Sequence, residues 1–154
     1  MERNRIIKII VSTAVIVAVA ALGSVFVNLG MDWFNGLTKP TQWLPNIVIP
    51  IVWTVVYLAF AVINFLWLKD EDIPTSTVTL MLISAVLNVL WCLTFFTLKL
   101  LFIGNIVILL TLIVGFALIV DILKNKKLFG YILSIYPIWL SIATTLNLAL
   151  WILN

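Results

Sequence analysis

The chain has 154 residues, of which 64% are hydrophobic and only 10% are charged, and its mean hydropathy is +1.26. This composition lies outside the range of soluble globular domains, so the chain requires lipid around it. The net charge of +3 does not indicate nucleic-acid binding, because the basic residues are divided between chain ends and turns. We therefore expect an integral membrane protein with no nucleic-acid partner.

The apolar runs predict five membrane-spanning helices, since a hydrocarbon core of about 30 Å needs roughly 20 residues per span. The first run follows the basic segment MERNRIIK and continues past Ala20, which favours a retained helix over a cleaved signal peptide. All spans belong to one domain, residues 1–154. The predicted spans are approximately residues 6–27, 46–68, 75–98, 101–123 and 128–153. The predicted fold class is therefore an all-α membrane bundle of five helices.

The connection between the first two spans differs from an ordinary linker. The stretch from Trp33 to Tyr57 contains three of the seven tryptophans and three of the five prolines. Flexible linkers are rich in Gly and Ser rather than in bulky aromatic residues that need a surface to pack on. We predict a folded, Trp/Pro-rich lid over a site between the helices.

The basic residues indicate how the chain crosses the membrane. With the N-terminus in the cytoplasm, seven basic residues fall on the inner side and two, Lys39 and Lys99, on the outer side. This bias follows the positive-inside rule. We therefore predict a multi-pass protein with a cytoplasmic N-terminus and both the lid and the C-terminus outside.

Several kinds of chemistry lack their usual residues. The chain has no histidine and a single cysteine, Cys92, which removes the commonest metal ligand and general base and excludes an intrachain disulfide. All charged residues fall near predicted helix ends, whereas ion-coupled transporters usually carry charges in mid-membrane. We predict no metal site and no conventional catalytic residues.

Helical spacing instead aligns aromatic and amide side chains on three of the helices. Such a lining suits a large, flat, mostly apolar ligand with a few polar edges. The alternative is that the tryptophans form interfacial belts and the asparagines only join helices. The candidate ligand-binding residues are Trp53, Tyr57, Asn88, Trp91, Trp139, Ala143 and Asn147.

Three segments resemble the translocator protein family, also called TspO/MBR or tryptophan-rich sensory proteins. The family's first pattern, W…L-x-K-P…P-P/N…W-T-x-x-Y, is matched by Trp33, Leu37, Lys39-Pro40, Pro45-Asn46, Trp53-Thr54 and Tyr57. Its second, L-N-x-x-W-x-x-x-F-F, is matched from Leu87 to Phe96. Its third, W-x-x-F-A-T-x-L-N, is similar to the stretch from Trp139 to Asn147, which is followed by Trp151.

The resemblance, which is to bacterial members of the family, implies a homodimeric five-helix protein of a bacterial cell membrane. It would bind tetrapyrroles such as protoporphyrin IX, and benzodiazepine- or isoquinoline-type ligands, in a pocket below the first loop. It places Trp33, Lys39, Pro40 and Pro45 in the lid. No cofactor is required, and the absence of histidine fits a metal-free porphyrin better than haem. Sensing, transport or regulation would follow from ligand capture. The family's C-terminal sterol motif is absent, because its Tyr and basic positions are Leu148 and Ile152.

Two alternatives remain open at the level of sequence. The first is light- and oxygen-dependent porphyrin degradation, in which Trp53 and Trp139 would be the redox-active neighbours of the ligand. The second is a transporter subunit or membrane scaffold without a tetrapyrrole site, in which the Trp and Asn residues only pack helices.

Overall fold

A computed structural model describes residues 2–41 and 43–154. Gln42, which replaces the aromatic residue usual in the resembled family, lies outside the described residues. In the described part, five helical segments are long and apolar enough to cross a membrane, which confirms the predicted fold class. The helices are α1 (Glu2–Asn35), α2 (Val48–Asp70), α3 (Thr75–Cys92), α4 (Leu101–Asn125), α5 (Lys127–Leu133) and α6 (Ile135–Leu153).

The helices form a closed ring rather than following one another in chain order. α1 packs against α2 on one side and α3 on the other, α3 packs against α4, and α4 packs against α5 and α6, which return to α2. Over the described residues, α2 and α3 make no such packing contact with each other. This leaves room between α2 and α3, and α1 lies across the gap.

α1 is longer than predicted, because it continues past residue 27 and ends at Asn35. Gly30 allows the extension, since a Cβ atom there would collide with the Phe96 backbone carbonyl of the neighbouring segment. One turn later Trp33 packs edge-on against Phe95, with ring centroids 6.1 Å apart. Trp33, predicted to begin the loop, therefore lies in the last turns of α1, and the lid proper follows Asn35.

The third span ends in a π-helical turn, Leu93–Thr97, in direct continuation of α3. π-helical turns are rare and occur often beside functional sites. Here the turn brings Phe95 and Phe96 into the core, where both side chains are buried. The Thr97 hydroxyl donates to the Phe26 carbonyl of α1 at 2.9 Å, which ties the turn to that helix.

The fifth span is divided at Ser134 into α5 and α6 rather than being one helix. Pro137, three residues later, causes this division, because it has no N–H to donate to the Leu133 carbonyl. The Ser134 hydroxyl donates to the Gly130 carbonyl at 2.8 Å and stabilises the break. The division turns α6 so that Tyr136 and Trp139 are both buried in the bundle.

Ion pairs join the elements at one end of the bundle, which we call the basic end. Lys8 of α1 contacts Asp72 of the α2–α3 connection at 2.7 Å, and Lys126 contacts Glu71 at 2.6 Å. The start of α1, the α2–α3 connection and the α4–α5 junction therefore lie together. The lid and the end of α6 lie at the opposite end, as five spans require.

Candidate ligand-binding site

The main cavity has a volume of about 560 Å³ and fills the gap between α2 and α3. It extends from Trp53 on the lid side to the Lys8–Asp72 pair at the basic end, with α1 as one wall. Trp53 and Leu68 are 15 residues apart on α2, so the cavity is about 22 Å long at ~1.5 Å per residue. Its volume lies within the usual range of small-molecule sites, roughly 300–1,000 Å³.

Aromatic rings line the lid-side half of this cavity. Trp53 and Tyr57, four residues apart on α2, stack with centroids 5.7 Å apart and planes 28° apart. Phe60, on the next turn, meets the Tyr136 ring edge-on at 5.4 Å. The spacing of three and four residues along α2 puts these side chains on one face, as predicted. The result is a mainly aromatic lining in the lid-side half of the cavity.

Hydrogen bonds join side chains of different helices along the cavity. The Tyr57 hydroxyl donates to Asn88 Oδ1 at 3.5 Å, and the hydroxyls of Ser84 and Tyr136 share a hydrogen bond at 2.6 Å. Ser84 and Tyr136 were not among the predicted site residues. Ser84 carries a signal in the sequence, because it lies four residues before Asn88 and so on the same helical face.

A second, much smaller space of about 30 Å³ lies under the lid, on the other side of Trp53. Trp91, Trp139, Ala143 and Asn147 line it, with Trp53 as a shared wall. The predicted site residues are thus divided, since Tyr57 and Asn88 line the main cavity instead. We call the smaller space the upper compartment.

Three buried donors around the upper compartment have no hydrogen-bond acceptor among the residues that the structure describes: Trp91 Nε1, Trp139 Nε1 and Asn147 Nδ2. Each unsatisfied buried donor costs about 1–3 kcal/mol. A space of about 30 Å³ is comparable to one water molecule. The compartment therefore offers convergent donors to a water or to an acceptor on the edge of a ligand.

The lid packs by its own contacts above this compartment. Lys39 Nζ donates to the Phe34 carbonyl at 3.0 Å and lies 4.8 Å from the centre of the Phe34 ring. Trp43 Nε1 donates to Asn46 Oδ1 at 3.1 Å. Neither space is lined by any of the four predicted lid residues, which are Trp33, Lys39, Pro40 and Pro45. On the lid side, the upper compartment is lined instead by Phe34 and Trp43.

The lid is also attached to the end of α6. The Asn154 side chain accepts from the Thr38 backbone N–H at 2.8 Å and donates to the Thr38 carbonyl at 2.9 Å. Two parallel bonds of this kind imitate the pairing of neighbouring strands. This contact was not predicted from the sequence, because it joins positions far apart in the chain.

At the basic end the cavity changes from aromatic to aliphatic and then to charged. Lys8 and Asp72 are the charged residues in its lining over the described part of the chain. The hydrogen bond from Lys8 holds the pKa of the Asp72 carboxyl below its ordinary value of 3.8. Between these ends, buried Asn64 lines the cavity, and its Oδ1 has no donor in residues 2–41 and 43–154.

Comparison with known proteins agrees with the motif pattern. Residues 12–152 match the model of the TspO/MBR family. The chain is also 28% identical, over 126 residues, to protein CrtK of Rhodobacter capsulatus. That alignment covers 79% of this chain and 78% of CrtK.

Proposed function

Because this chain belongs to the TspO/MBR family, we propose that it is a membrane receptor for tetrapyrroles, which binds a planar, metal-free porphyrin among its helices. The observation that carries the proposal is the main cavity of about 560 Å³ with Trp53 and Tyr57 stacked along its lid-side half. A flat macrocycle buries apolar area against such rings at about 25 cal/mol per Å². Sensing or regulation follows if occupancy changes how α1 and the lid pack.

The upper compartment supports the same proposal. Its buried donors on Trp91, Trp139 and Asn147, which have no acceptor among the described residues, are suited to uncharged carbonyl acceptors. Trp53 separates it from the main cavity, so a rotation of that side chain would join the two spaces. This explains how residues in two spaces serve one ligand, and why smaller benzodiazepine- or isoquinoline-type molecules with a carbonyl group are candidate ligands.

The test is a titration of the purified protein with protoporphyrin IX, followed by tryptophan fluorescence quenching. We expect saturable binding that Trp53→Phe and Asn88→Ala weaken about tenfold, which corresponds to about 1.4 kcal/mol. Trp139→Phe tests the upper compartment in the same way. Trp151→Phe is the matched control, because Trp151 is 42% exposed and packs on Phe102 away from both spaces.

Unsaturable partitioning of the porphyrin, equal in all variants that remain folded, would refute the proposal and favour a scaffold. Illumination of the same samples separates binding from turnover. Loss of porphyrin absorbance that requires Trp53 and Trp139 would assign the protein the alternative, degradative role.

We propose a cytoplasmic N-terminus and a homodimer for the protein in its membrane. Positive charge supports the orientation, since Lys8 and Lys126 both lie at the basic end. The family resemblance supports the dimer. Light scattering of the purified protein measures its mass directly, and a monomer at all concentrations would contradict the dimer.

A further inference from the structure

Among the described residues, charged side chains line the main cavity at the basic end and not at the lid end. Lys8 and Asp72 line its basic end. Lys39, the lysine of the lid, lines neither space, and its Nζ is engaged by the Phe34 and Asn35 carbonyls at 3.0 and 3.4 Å. A ligand that lies in the cavity therefore meets a cation at the basic end.

Protoporphyrin-type ligands carry two carboxylates on one edge of an otherwise apolar ring. An ionised carboxylate cannot be buried in an apolar interior without large cost, so that edge must remain at a wet, charged opening. Lys8 is half exposed, 49%, while it contacts the cavity, and Asp72 is 65% exposed. The basic end meets both requirements, because its cation is hydrated and adjoins the apolar space.

The cavity wall changes from apolar to charged along its length, as such a ligand does from one edge to the other. Trp53 and Tyr57 lie at the lid side, a mostly aliphatic stretch with Val15 and Leu68 that also includes Asn64 lies lower, and the charged pair with Lys8 comes last. Arg5 is a second cation near this end, where its Nη1 donates to the Lys69 carbonyl at 2.9 Å. The gradient matches a ring with its apolar edge toward the lid and its acidic edge toward Lys8.

We infer that Lys8 is a specificity-determining residue for dicarboxylate tetrapyrroles. These ligands lie in the main cavity with their carboxylates at the basic end, where a ligand carboxylate replaces Asp72 as the partner of the Lys8 ammonium. The inference rests on the proposed function and adds the orientation and the charge of the ligand. In the ligand-free protein, Asp72 occupies the position that a ligand carboxylate takes. Binding then releases Asp72 from Lys8.

Two probes and three variants test this assignment in the full-length protein. The probes are protoporphyrin IX, a diacid, and its dimethyl ester, which has the same ring and no charge. We expect Lys8→Gln to weaken the diacid about fivefold to tenfold, as loss of one partly exposed charged contact does, and to change ester affinity by less than about twofold. Asp72→Asn is expected to strengthen diacid binding, because it removes the competing carboxylate.

Lys126→Gln is the matched control. Lys126 pairs with Glu71 at the same end of the bundle but does not line the cavity. We expect it to leave the affinities for both probes unchanged. Added salt is expected to weaken diacid binding by the wild type and to have little effect on the ester.

The outcomes separate this inference from the proposed function. Saturable binding of both probes that does not depend on Lys8 would overturn the inference and leave the tetrapyrrole site intact. Equal loss of diacid and ester in Lys8→Gln would also overturn it, since the residue would then act on structure alone. No saturable binding of either probe by the wild type would refute the proposed function, and this inference with it.

Discussion

Single residues set the closest approaches in this bundle, and two glycines of α1 show the contrast. At Gly30 a Cβ atom would collide with the Phe96 backbone, whereas at Gly23 the nearest atom, Cys92 Sγ, would be 3.4 Å away. The first position excludes any side chain, because backbone atoms cannot move aside as a flexible side chain can. The second has room for a methyl group.

We predict that Gly30→Ala destabilises the protein by about 1–3 kcal/mol, the usual cost of overpacking. Gly23→Ala, on the same helix, is the control and is expected to be neutral or to stabilise by up to about 1 kcal/mol, because alanine favours helix. Thermal unfolding in detergent measures both. Equal melting temperatures for the two variants would contradict the close contact between α1 and Phe96.

The Lys8–Asp72 pair predicts a specific dependence of stability on pH. The pKa of Asp72 is lowered in the folded protein by the hydrogen bond from Lys8. Its contribution is therefore complete above the unfolded-state pKa and is lost as the pH falls through the lower folded-state pKa.

We expect the difference in melting temperature between wild type and Asp72→Asn to be small and constant from about pH 5 to pH 8, and to shrink below about pH 4. It is small because water screens exposed ion pairs. Melting curves at a series of pH values measure it. A difference that grows toward acidic pH would show that the carboxylate is not stabilised by Lys8.

Among the elements, α1 is attached to the bundle unevenly. Its first described buried residue is Gly23, and Gly30 and Phe34 follow in the lid-side half. Nearer the basic end, Lys8 holds it through an ion pair with Asp72, and Arg5 through a hydrogen bond to the Lys69 carbonyl. The part of α1 between these attachments forms one wall of the main cavity, so α1 is the helix best placed to move when a ligand enters.

The lid is the second element whose attachment decides its mobility. Asn154 makes two hydrogen bonds to the Thr38 backbone, which together contribute about 1–3 kcal/mol at most. We predict that Asn154→Ala speeds hydrogen exchange in residues 37–41 and 43–46 about tenfold and lowers the melting temperature by only a few degrees. Asn125→Ala, at the basic end, is the control. Unchanged lid exchange in Asn154→Ala would show that other contacts hold the lid.

At the scale of the whole molecule, the two ends of the bundle differ in charge and in chemistry. The basic end carries the Lys8–Asp72 and Lys126–Glu71 pairs, and the lid end carries packed aromatic residues such as Trp43. This difference in charge supports the proposed orientation, in which the basic end faces the acidic inner surface of the bilayer.

We predict that a membrane-impermeant maleimide labels Thr38→Cys in intact cells, and labels Asn125→Cys only after the membrane is opened. Both variants are made in a Cys92→Ser background, although Cys92 is buried, so that each protein has one thiol. The reverse pattern would invert the proposed topology. Labelling of both positions in intact cells would indicate a mixed population.

The sequence alone determined the number and approximate limits of the spans, because hydrophobic length is a property of each segment by itself. It also determined which side chains share a face, such as Trp53 with Tyr57, since helical periodicity is local. The tertiary structure decided that α1 continues to Asn35, because the contact between Gly30 and Phe96 joins distant parts of the chain.

The tertiary structure also decided how the candidate site residues are divided between two spaces. Trp53 separates Tyr57 and Asn88, in the main cavity, from Trp91 and Trp139, in the upper compartment. Periodicity within one helix fixes a face but not the rotation of that helix against its neighbours, nor the gap between two helices. That rotation depends on packing across the whole ring, so the space between α2 and α3 and its charged end at Lys8 emerge only in three dimensions.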